Sequence, residues 1–279
     1  MSVAALRAGG LAVLAMAGLA SGAVAHAAQA TPSPAAAKAD AAKPSAVAKG
    51  PGSLAGLWVR TGYLGSLNHT ARERIARDVD GKLPPLLPWA RDLLEKRVKD
   101  AEGDKYFANN AAQCLPQGVP YLLFGAVEGV VQFFEEQGQV TVITEEGNEI
   151  WNIYLDQKHP PREDIEPTFH GDSVAHWDGG TLVVDTLGLN TKTTLDQVGM
   201  PHSDAMHVIT RMRRATADTM EILVTIDDPK TFSAPWTQRL IYRKAAAGER
   251  VREFVCENNR NAASAEGYQS FDGRSFDAH

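Results

Sequence analysis

The stretch DSVAHWDGGTLVVDTL, residues 172–187, decides the fold of this chain. Two short runs with β-branched residues flank Asp178-Gly179-Gly180, and a turn of this composition between such runs is typical of a β-hairpin. The stretch therefore predicts two antiparallel strands joined by a tight turn.

Similar short runs follow one another along most of the chain. The other predicted strands are 54–61, 130–135, 140–145, 149–155, 205–214, 219–226, 236–244 and 250–256. Gly, Asn or Asp occurs in several of the short connections, as expected for hairpin turns. About nine strands at this spacing predict a mainly β domain, an antiparallel barrel or sandwich, and not a parallel α/β sheet.

Residues 69–103 differ from this pattern. Charged side chains alternate with apolar ones at helical spacing, and Gly103 is a suitable helix stop. Because the Pro-rich stretch KLPPLLP (82–88) divides the segment, we expect a two-helix insertion near the N-terminus. Its apolar residues Leu86, Leu87 and Trp89 are candidates for a lid.

The first thirty residues have the layout of a signal peptide. Arg7 precedes an apolar stretch from 11 to about 25, and small-x-small triplets follow at 25–27 and 28–30. A cytosolic Ala-rich tail is the alternative. The apolar stretch is too short to remain as a stable membrane-spanning helix. We expect export to the periplasm or beyond.

Composition divides the rest of the chain. Residues 31–52, rich in Ala and Pro, predict a flexible linker, followed by a single β-rich domain at 53–260 and a polar tail at 261–279. The chain has a formal charge of −6, and the part after residue 52 is more acidic, because residues 1–52 hold four basic and one acidic side chain. Such a charge argues against binding to nucleic acid.

Cys114 and Cys256 are the two cysteines of the chain. An exported protein meets an oxidising compartment, so a structural disulfide between them is favoured, provided that their Cα atoms lie within bonding reach. Two unpaired thiols are the alternative. No flanking motif supports a nucleophilic cysteine.

Several longer motifs carry a resemblance to a known family. They are PTFHGDSVAHWDGGTLVVDTLGLN (167–190), PHSDAMHVITRMRR (201–214) and TIDDPKTFSAPWT (225–237), with CLPQGVP around Cys114 and FVCENN around Cys256. With them, nearly the whole chain after the leader resembles a large family of secreted bacterial β-rich proteins without a settled activity. The resemblance implies a β-rich fold and export, and it assigns no catalytic residue.

A shorter motif is similar to one in lipocalin-type barrels. Gly56-Leu57-Trp58 has the Gly-x-Trp form of a first lipocalin strand. In that architecture a basic residue of a late strand covers the indole, and Arg243 is the candidate here. The helical insertion and the extra length depart from a minimal lipocalin.

Candidate functional residues are concentrated in one part of the chain. Four of the eight histidines lie at 170–207, together with several aspartates. Strand alternation places His207 and Arg211 on one face, and His202 and Asp204 precede them in a loop. His202 and Asp204 could act as a base and its orienting carboxylate, with His207 or Arg211 stabilising negative charge and Asp185 assisting.

Other interpretations of these residues remain open. The aspartates are also common turn residues, and the histidines could simply bond to backbone. A divalent metal could be held by His202, Asp204 and His207 with His170 or His176, although on an extended strand 202 and 204 point away from 207. Gly171-Asp172-Ser173 has the form of an esterase block but lacks the fold context of one.

Two functions from different classes follow from these patterns. The first is an exported acid–base enzyme, an isomerase, lyase or hydrolase, that acts on a small, largely apolar organic molecule. It would need no cofactor, since the sequence has no phosphate-binding loop or dinucleotide fingerprint. The alternative is a lipocalin-like protein that binds such a molecule without changing it. Convergence of His202, Asp204 and His207 in a pocket would favour the enzyme.

Overall fold

The computed structural model of the chain describes residues 52–61, 70–103, 110, 114–124 and 130–254. These residues belong to one compact unit, Ala46–His279. The predicted signal peptide, nearly all of the linker, Cys256 and the polar tail lie outside the described residues. Export and the pairing of Cys114 with Cys256 therefore stay predictions.

The described residues form a closed β-barrel. Its strands are β1 (Gly56–Thr61), β2 (Val130–Glu136), β3 (Gln139–Thr144), β4 (Ile150–Leu155), β5 (Asp172–Asp178), β6 (Thr181–Leu187), β7 (His207–Thr216), β8 (Thr219–Asp227) and β9 (Trp236–Lys244). Each strand pairs with the next one in the chain, and β9 pairs with β1 to close the barrel. The prediction of a mainly β fold is confirmed, and the architecture is a barrel.

One pair of strands departs from the predicted antiparallel order. β4 and β5 are parallel, with Tyr154 opposite Val174. Parallel neighbours need a connection that returns the chain to the starting end of the sheet. Residues 156–171 form this crossover, and it carries His159 along the outside of the barrel.

The helical insertion is smaller than predicted. Its second helix is present as α1 (Pro88–Glu102), but the first is a single 3₁₀ turn at Ala71–Arg74. The following residues bind to distant parts of the chain instead: the backbone N–H of Ala76 donates to Asp196, and that of Val79 donates to the carbonyl of Thr237. A further short helix, α2 (Tyr121–Phe124), is buried. These long-range contacts replace the local bonds of the expected first helix.

The predicted strand at 250–256 is not formed in its described part. Residues 250–254 contain no strand, and the N–H groups of Arg252 and Phe254 donate to the side chains of Glu145 and Asn148. The physical reason is barrel closure. Both edges of β9 are already occupied, by β8 and β1, so no edge is left there for another strand.

Alternation along the strands separates a packed interior from a polar exterior. Large side chains such as Trp58, Trp151 and Tyr242 fill the interior. On β7, Val208 and Met212 are buried while His207 and Arg211 lie on the outer face. This is the division that period-two spacing predicts for β7.

The two ends of the barrel differ. The closed end carries the two-residue turns 137–138, 179–180 and 217–218, whereas the capped end carries the long connections β1–β2, β6–β7 and β8–β9. This arrangement follows from the alternating directions of neighbouring antiparallel strands. Functional groups on loops are therefore to be sought at the capped end.

Trp58 lies in the first half of β1, which begins at the closed end, and the first strand is where lipocalin-type barrels carry their Gly-x-Trp motif. Its indole N–H donates to the carbonyl of Leu54 at 2.8 Å, and the guanidinium carbon of Arg214 lies 5.4 Å from the ring centroid. Arg243, the predicted cover, pairs instead with Glu249. Because Arg243 is the neighbour of the buried Tyr242, strand alternation turns it to the outer face.

Candidate functional site

Two histidines and two aspartates meet on the outer face of the barrel. We call His159, Asp172, Asp185 and His207 the His–Asp cluster. His207 Nε2 lies 2.7 Å from Asp185 Oδ1, and His159 Nε2 lies 3.2 Å from the same oxygen. The other ring nitrogen of His159, Nδ1, lies 2.5 Å from Asp172 Oδ1. The cluster joins the crossover to three neighbouring strands.

Strand register explains how these side chains meet. Asp172 begins β5 and His207 begins β7, both at the capped end, and Asp185 lies on β6 between them. The register pairs Asp185 with Val174 on one side and Ile209 on the other. Asp185 and His207 therefore lie on the same outward face of adjacent strands. The crossover brings His159 onto this face.

The cluster has the chemical capacity to hold or transfer a proton. A neutral imidazole has one N–H, and a carboxylate only accepts hydrogen bonds. His159 can therefore bond to both aspartates only if its ring is protonated or if one carboxyl keeps a proton. The His207 side chain is 33% exposed, and Asp185 contacts its Nε2, which leaves Nδ1 for a different partner.

His202 occupies a structural position in the β6–β7 connection. It is buried, its Nε2 lies 2.6 Å from Thr193 Oγ1, and its Nδ1 lies 3.1 Å from the carbonyl oxygen of Ser203. Since a carbonyl only accepts, Nδ1 donates and Nε2 accepts from the Thr193 hydroxyl. Burial lowers the pKa of His202. This neutral, fully bonded ring stabilises the connection.

Asp204 and Arg211 are surface residues with their own partners. Asp204 is exposed and forms an ion pair with Lys230 at 2.7 Å, and this hydrogen bond lowers the pKa of Asp204. Arg211 lies 3.9 Å from Asp178. His202, Asp204 and His207 thus have three separate partners and do not converge, which corrects the predicted arrangement.

The reason for this separation is Ser203. Its backbone N–H and its hydroxyl both donate to the carboxylate of the buried Asp228, each at 2.6 Å. This anchor holds the chain so that residue 202 is buried and residue 204 is exposed. Among the predicted catalytic residues, the structure brings together Asp185 and His207.

The other predicted ligands and nucleophiles also have structural partners. His170 lies 2.8 Å from the buried Glu149, which accepts backbone N–H groups from Gln117 and Gly118. Ser173 is buried, receives the indole N–H of Trp151 and bonds to Thr186. Among the described residues, no three His, Cys, Asp or Glu side chains form a group that could hold a metal ion.

A cavity of about 320 Å³ lies at the capped end, and we call it the end cavity. Arg60 and Gln238 belong to β1 and β9, and their alternation with outward residues places them on the inner face. α2 contributes Tyr121 and Phe124. The other lining residues are Arg74, Ile75, Ala76, Arg77, Asp78, Val79, Leu195, Asp196, Gln197 and Arg239.

Asp196 supports the wall of this cavity. Its carboxyl oxygens accept the backbone N–H groups of Ala76, Val198, Gly199 and Met200 at 2.8–3.0 Å. Burial raises the pKa of Asp196, and these hydrogen bonds partly offset the effect. The side chain thereby ties the β1–β2 connection to the β6–β7 connection.

Sequence reasoning missed both His159 and the end cavity. His159 lies outside the window of clustered histidines and is followed by two prolines, with no motif around it. The lining of the cavity comes from several separate segments. The excess of arginine in this lining cannot be seen in a linear charge pattern.

Comparison with known proteins assigns no family. No family model matches the chain, and no curated protein matches it. Among solved structures, a secretory abundant heat soluble (SAHS) protein from Ramazzottius varieornatus is similar over 69% of this chain and 95% of that chain, at 12% identity and a TM-score of 0.31. The resemblance to secreted bacterial β-rich proteins therefore stays a prediction.

None of the helices in the described residues combines the length and the hydropathy that crossing a bilayer would require.

Proposed function

We propose that this is an exported protein that binds a small organic molecule in the end cavity. The proposal is based on the cavity itself. Inward residues of β1 and β9 and the connections of the capped end together enclose a volume of about 320 Å³. Ligand sites of small molecules are commonly concave, of this order of volume, and placed at the mouths of β-barrels. The barrel supplies a rigid base for such a site.

The packing of the barrel favours the end cavity as the place of binding. Trp58, Phe133, Trp151 and Tyr242 are almost completely buried in the interior. In small barrels the side chains fill the inside. A ligand would therefore bind at the capped end, beside α2, and would not need to enter the centre.

The test uses ligand-observed NMR with a library of neutral and charged small molecules. Gln197→Trp places a large ring in the cavity wall, and Lys192→Trp places the same ring on an exposed position of the same connection. We expect hits for the natural chain and for Lys192→Trp, and loss of those hits for Gln197→Trp with an unchanged circular dichroism spectrum. Absence of any hit for the natural chain would contradict the proposal.

Acid–base catalysis is a second candidate function. The observation that favours it is the contact of 2.7 Å between Asp185 and His207, since a carboxylate that orients an imidazole is a common arrangement for a general base. His207 is accessible, and His159 provides a second ring on the same carboxylate. A substrate would approach the outer face of β6 and β7.

This candidate is tested by turnover of a metabolite extract, followed by mass spectrometry. His207→Gln removes the base, and His176→Gln changes an exposed histidine of β5 that lies outside the His–Asp cluster. We expect any conversion by the natural chain to be retained by His176→Gln and lost by His207→Gln. The same conversion by all three proteins would exclude His207 as the base.

A further inference from the structure

The lining of the end cavity indicates the chemistry of its ligand. Four of the fourteen lining residues are arginines, namely Arg60, Arg74, Arg77 and Arg239, and two are aspartates. The chain as a whole is acidic, with a formal charge of −6. We propose that the ligand is a small carboxylic acid that also carries a hydroxyl or amino donor. This inference rests on the proposed binding function.

Both aspartates of the lining are held in place by backbone N–H groups. Asp196 uses its oxygens on four backbone N–H groups. Asp78 Oδ1 accepts the backbone N–H groups of Asp80 and Lys82. Arg239 follows the inward Gln238, so its guanidinium faces outward, where it pairs with Glu221 at 3.2 Å. The other three lining arginines still outnumber the two aspartates. The lining therefore retains an excess of positive charge.

Guanidinium groups bind anions that present two adjacent oxygens, and the carboxylate is smaller than the phosphate, the other common organic group of this kind. The planar fork of arginine presents two parallel N–H groups that match the two oxygens of a carboxylate. The same wall contains apolar surface from Ile75, Tyr121, Phe124 and Leu195. This surface favours a ligand with an apolar organic part over a hydrated inorganic ion, because removing apolar surface from water is favourable.

A further polar atom of the cavity lacks a partner. The side-chain oxygen Oε1 of Gln238 is buried, and it has no hydrogen-bond partner within the described part of the chain. Buried polar atoms in folded proteins are bonded in the great majority of cases. A ligand donor, a hydroxyl or an amino group, would supply the missing bond.

The volume limits the size of the ligand. About 320 Å³ corresponds to about ten water volumes, so the ligand has roughly ten non-hydrogen atoms. A hydroxylated aromatic acid has this size. Its carboxylate would bind the arginines, its ring would pack against Tyr121 and Phe124, and its hydroxyl would donate to Gln238. We therefore use 4-hydroxybenzoate as the probe.

The experiment is isothermal titration calorimetry of the purified chain with four matched probes. 4-Hydroxybenzoate and benzoate differ by the donor, and each is compared with its neutral amide, 4-hydroxybenzamide or benzamide. We expect each acid to bind about tenfold or more tightly than its amide, and 4-hydroxybenzoate to bind severalfold more tightly than benzoate. Salt should weaken the binding of the acids.

Variants locate the effect in the cavity. Arg60→Met should weaken binding of 4-hydroxybenzoate about tenfold or more, whereas Arg211→Met, an exposed arginine on the outer face of β7, should bind as the natural chain does. Gln238→Met should remove the preference for 4-hydroxybenzoate over benzoate. Equal losses in Arg60→Met and Arg211→Met would show a general charge effect and overturn the inference.

Failure of the inference can be told apart from failure of the proposed function. If the amides bind as tightly as the acids, or if the NMR library yields cavity ligands but no acid binds, the inference is overturned and small-molecule binding stands. If neither the library nor any of the four probes binds, the proposed function fails and the inference fails with it.

Discussion

The closed end and the capped end of the barrel are stabilised in different ways. At the closed end, two-residue turns join the strands, and Trp58 packs in the interior beneath Arg214. At the capped end, buried carboxylates such as Asp196 and Glu149 accept backbone N–H groups from segments far away in the chain. Short turns and apolar burial predominate at the first end, where Leu54 also donates to Glu135, whereas long-range hydrogen bonds to buried carboxylates assemble the second.

This difference explains where functional groups are found. Both the end cavity and the His–Asp cluster lie at or near the capped end, because its connections are long enough to bring side chains from separate segments together. Loops on a rigid scaffold commonly carry binding and catalytic groups. The closed end, with its short turns, provides the scaffold.

The largest expected effect concerns the closed end. Trp58→Ala should lower the free energy of unfolding by about 3–5 kcal/mol, because it leaves a large hole among buried side chains. Trp89→Ala, at a ring that is 48% exposed, should cost less than about 1 kcal/mol. Urea unfolding followed by circular dichroism measures both. Equal losses would show that Trp58 does not anchor the closed end.

The next effect breaks the capped end. Asp196→Ala removes the acceptor of four backbone N–H groups and should cost about 2–4 kcal/mol. Asp196→Asn keeps one acceptor oxygen and should cost less. The same urea experiment compares the two variants. If Asp196→Ala and the natural chain unfold at the same urea concentration, these hydrogen bonds do not stabilise the capped end.

A smaller effect tests how Trp58 is covered. Arg214→Met should cost about 1 kcal/mol, because it removes the cation over the indole ring together with the hydrogen bonds to the carbonyls of Ser53 and Ala217. Arg243→Met removes exposed contacts, among them the ion pair with Glu249, and should cost less than about 0.5 kcal/mol. Tryptophan fluorescence during unfolding reports both. A larger loss of stability for Arg243→Met than for Arg214→Met would indicate that Arg243 covers Trp58, as the lipocalin resemblance implies.

The last expected effect is limited to one range of pH. Burial lowers the pKa of His202 in the folded chain, so the unfolded chain binds the proton more readily. Stability should therefore fall as pH drops below about 6.5, the ordinary pKa of histidine. His202→Gln should make this fall less steep, and the exposed-site variant His176→Gln should follow the natural chain. Thermal unfolding from pH 7.5 to 5 provides the measurement.

Much of the barrel could be predicted from local patterns. The hairpin at 172–187 and the alternation on β7 are determined by residues close together in the chain, and both are observed. The predicted strand at 250–256 shows the limit of local patterns. Its described part forms no strand, because β8 and β1 already occupy both edges of β9 in the closed barrel. The first predicted helix is not formed for a related reason: distant partners, Asp196 and Thr237, bind the residues that follow its single turn.

The candidate site was predictable only in part. Strand spacing singles out Asp185 and His207 as polar residues of the same window, and the register places them side by side. His159 comes from a crossover whose path depends on the parallel pairing of β4 and β5. His202 and Asp204 are separated by the anchor from Ser203 to Asp228, 25 residues apart.

The sequence by itself determined the nine strands of the barrel, the tight turns and the position of Trp58 on the first strand. These depend on alternation, turn composition and propensity, which act over a few residues. Only the tertiary structure decided which strands pair across the closure, which histidines share Asp185, and which arginines line the end cavity. Those features depend on contacts between distant segments, and the free energy of such contacts is gained only when the barrel has formed.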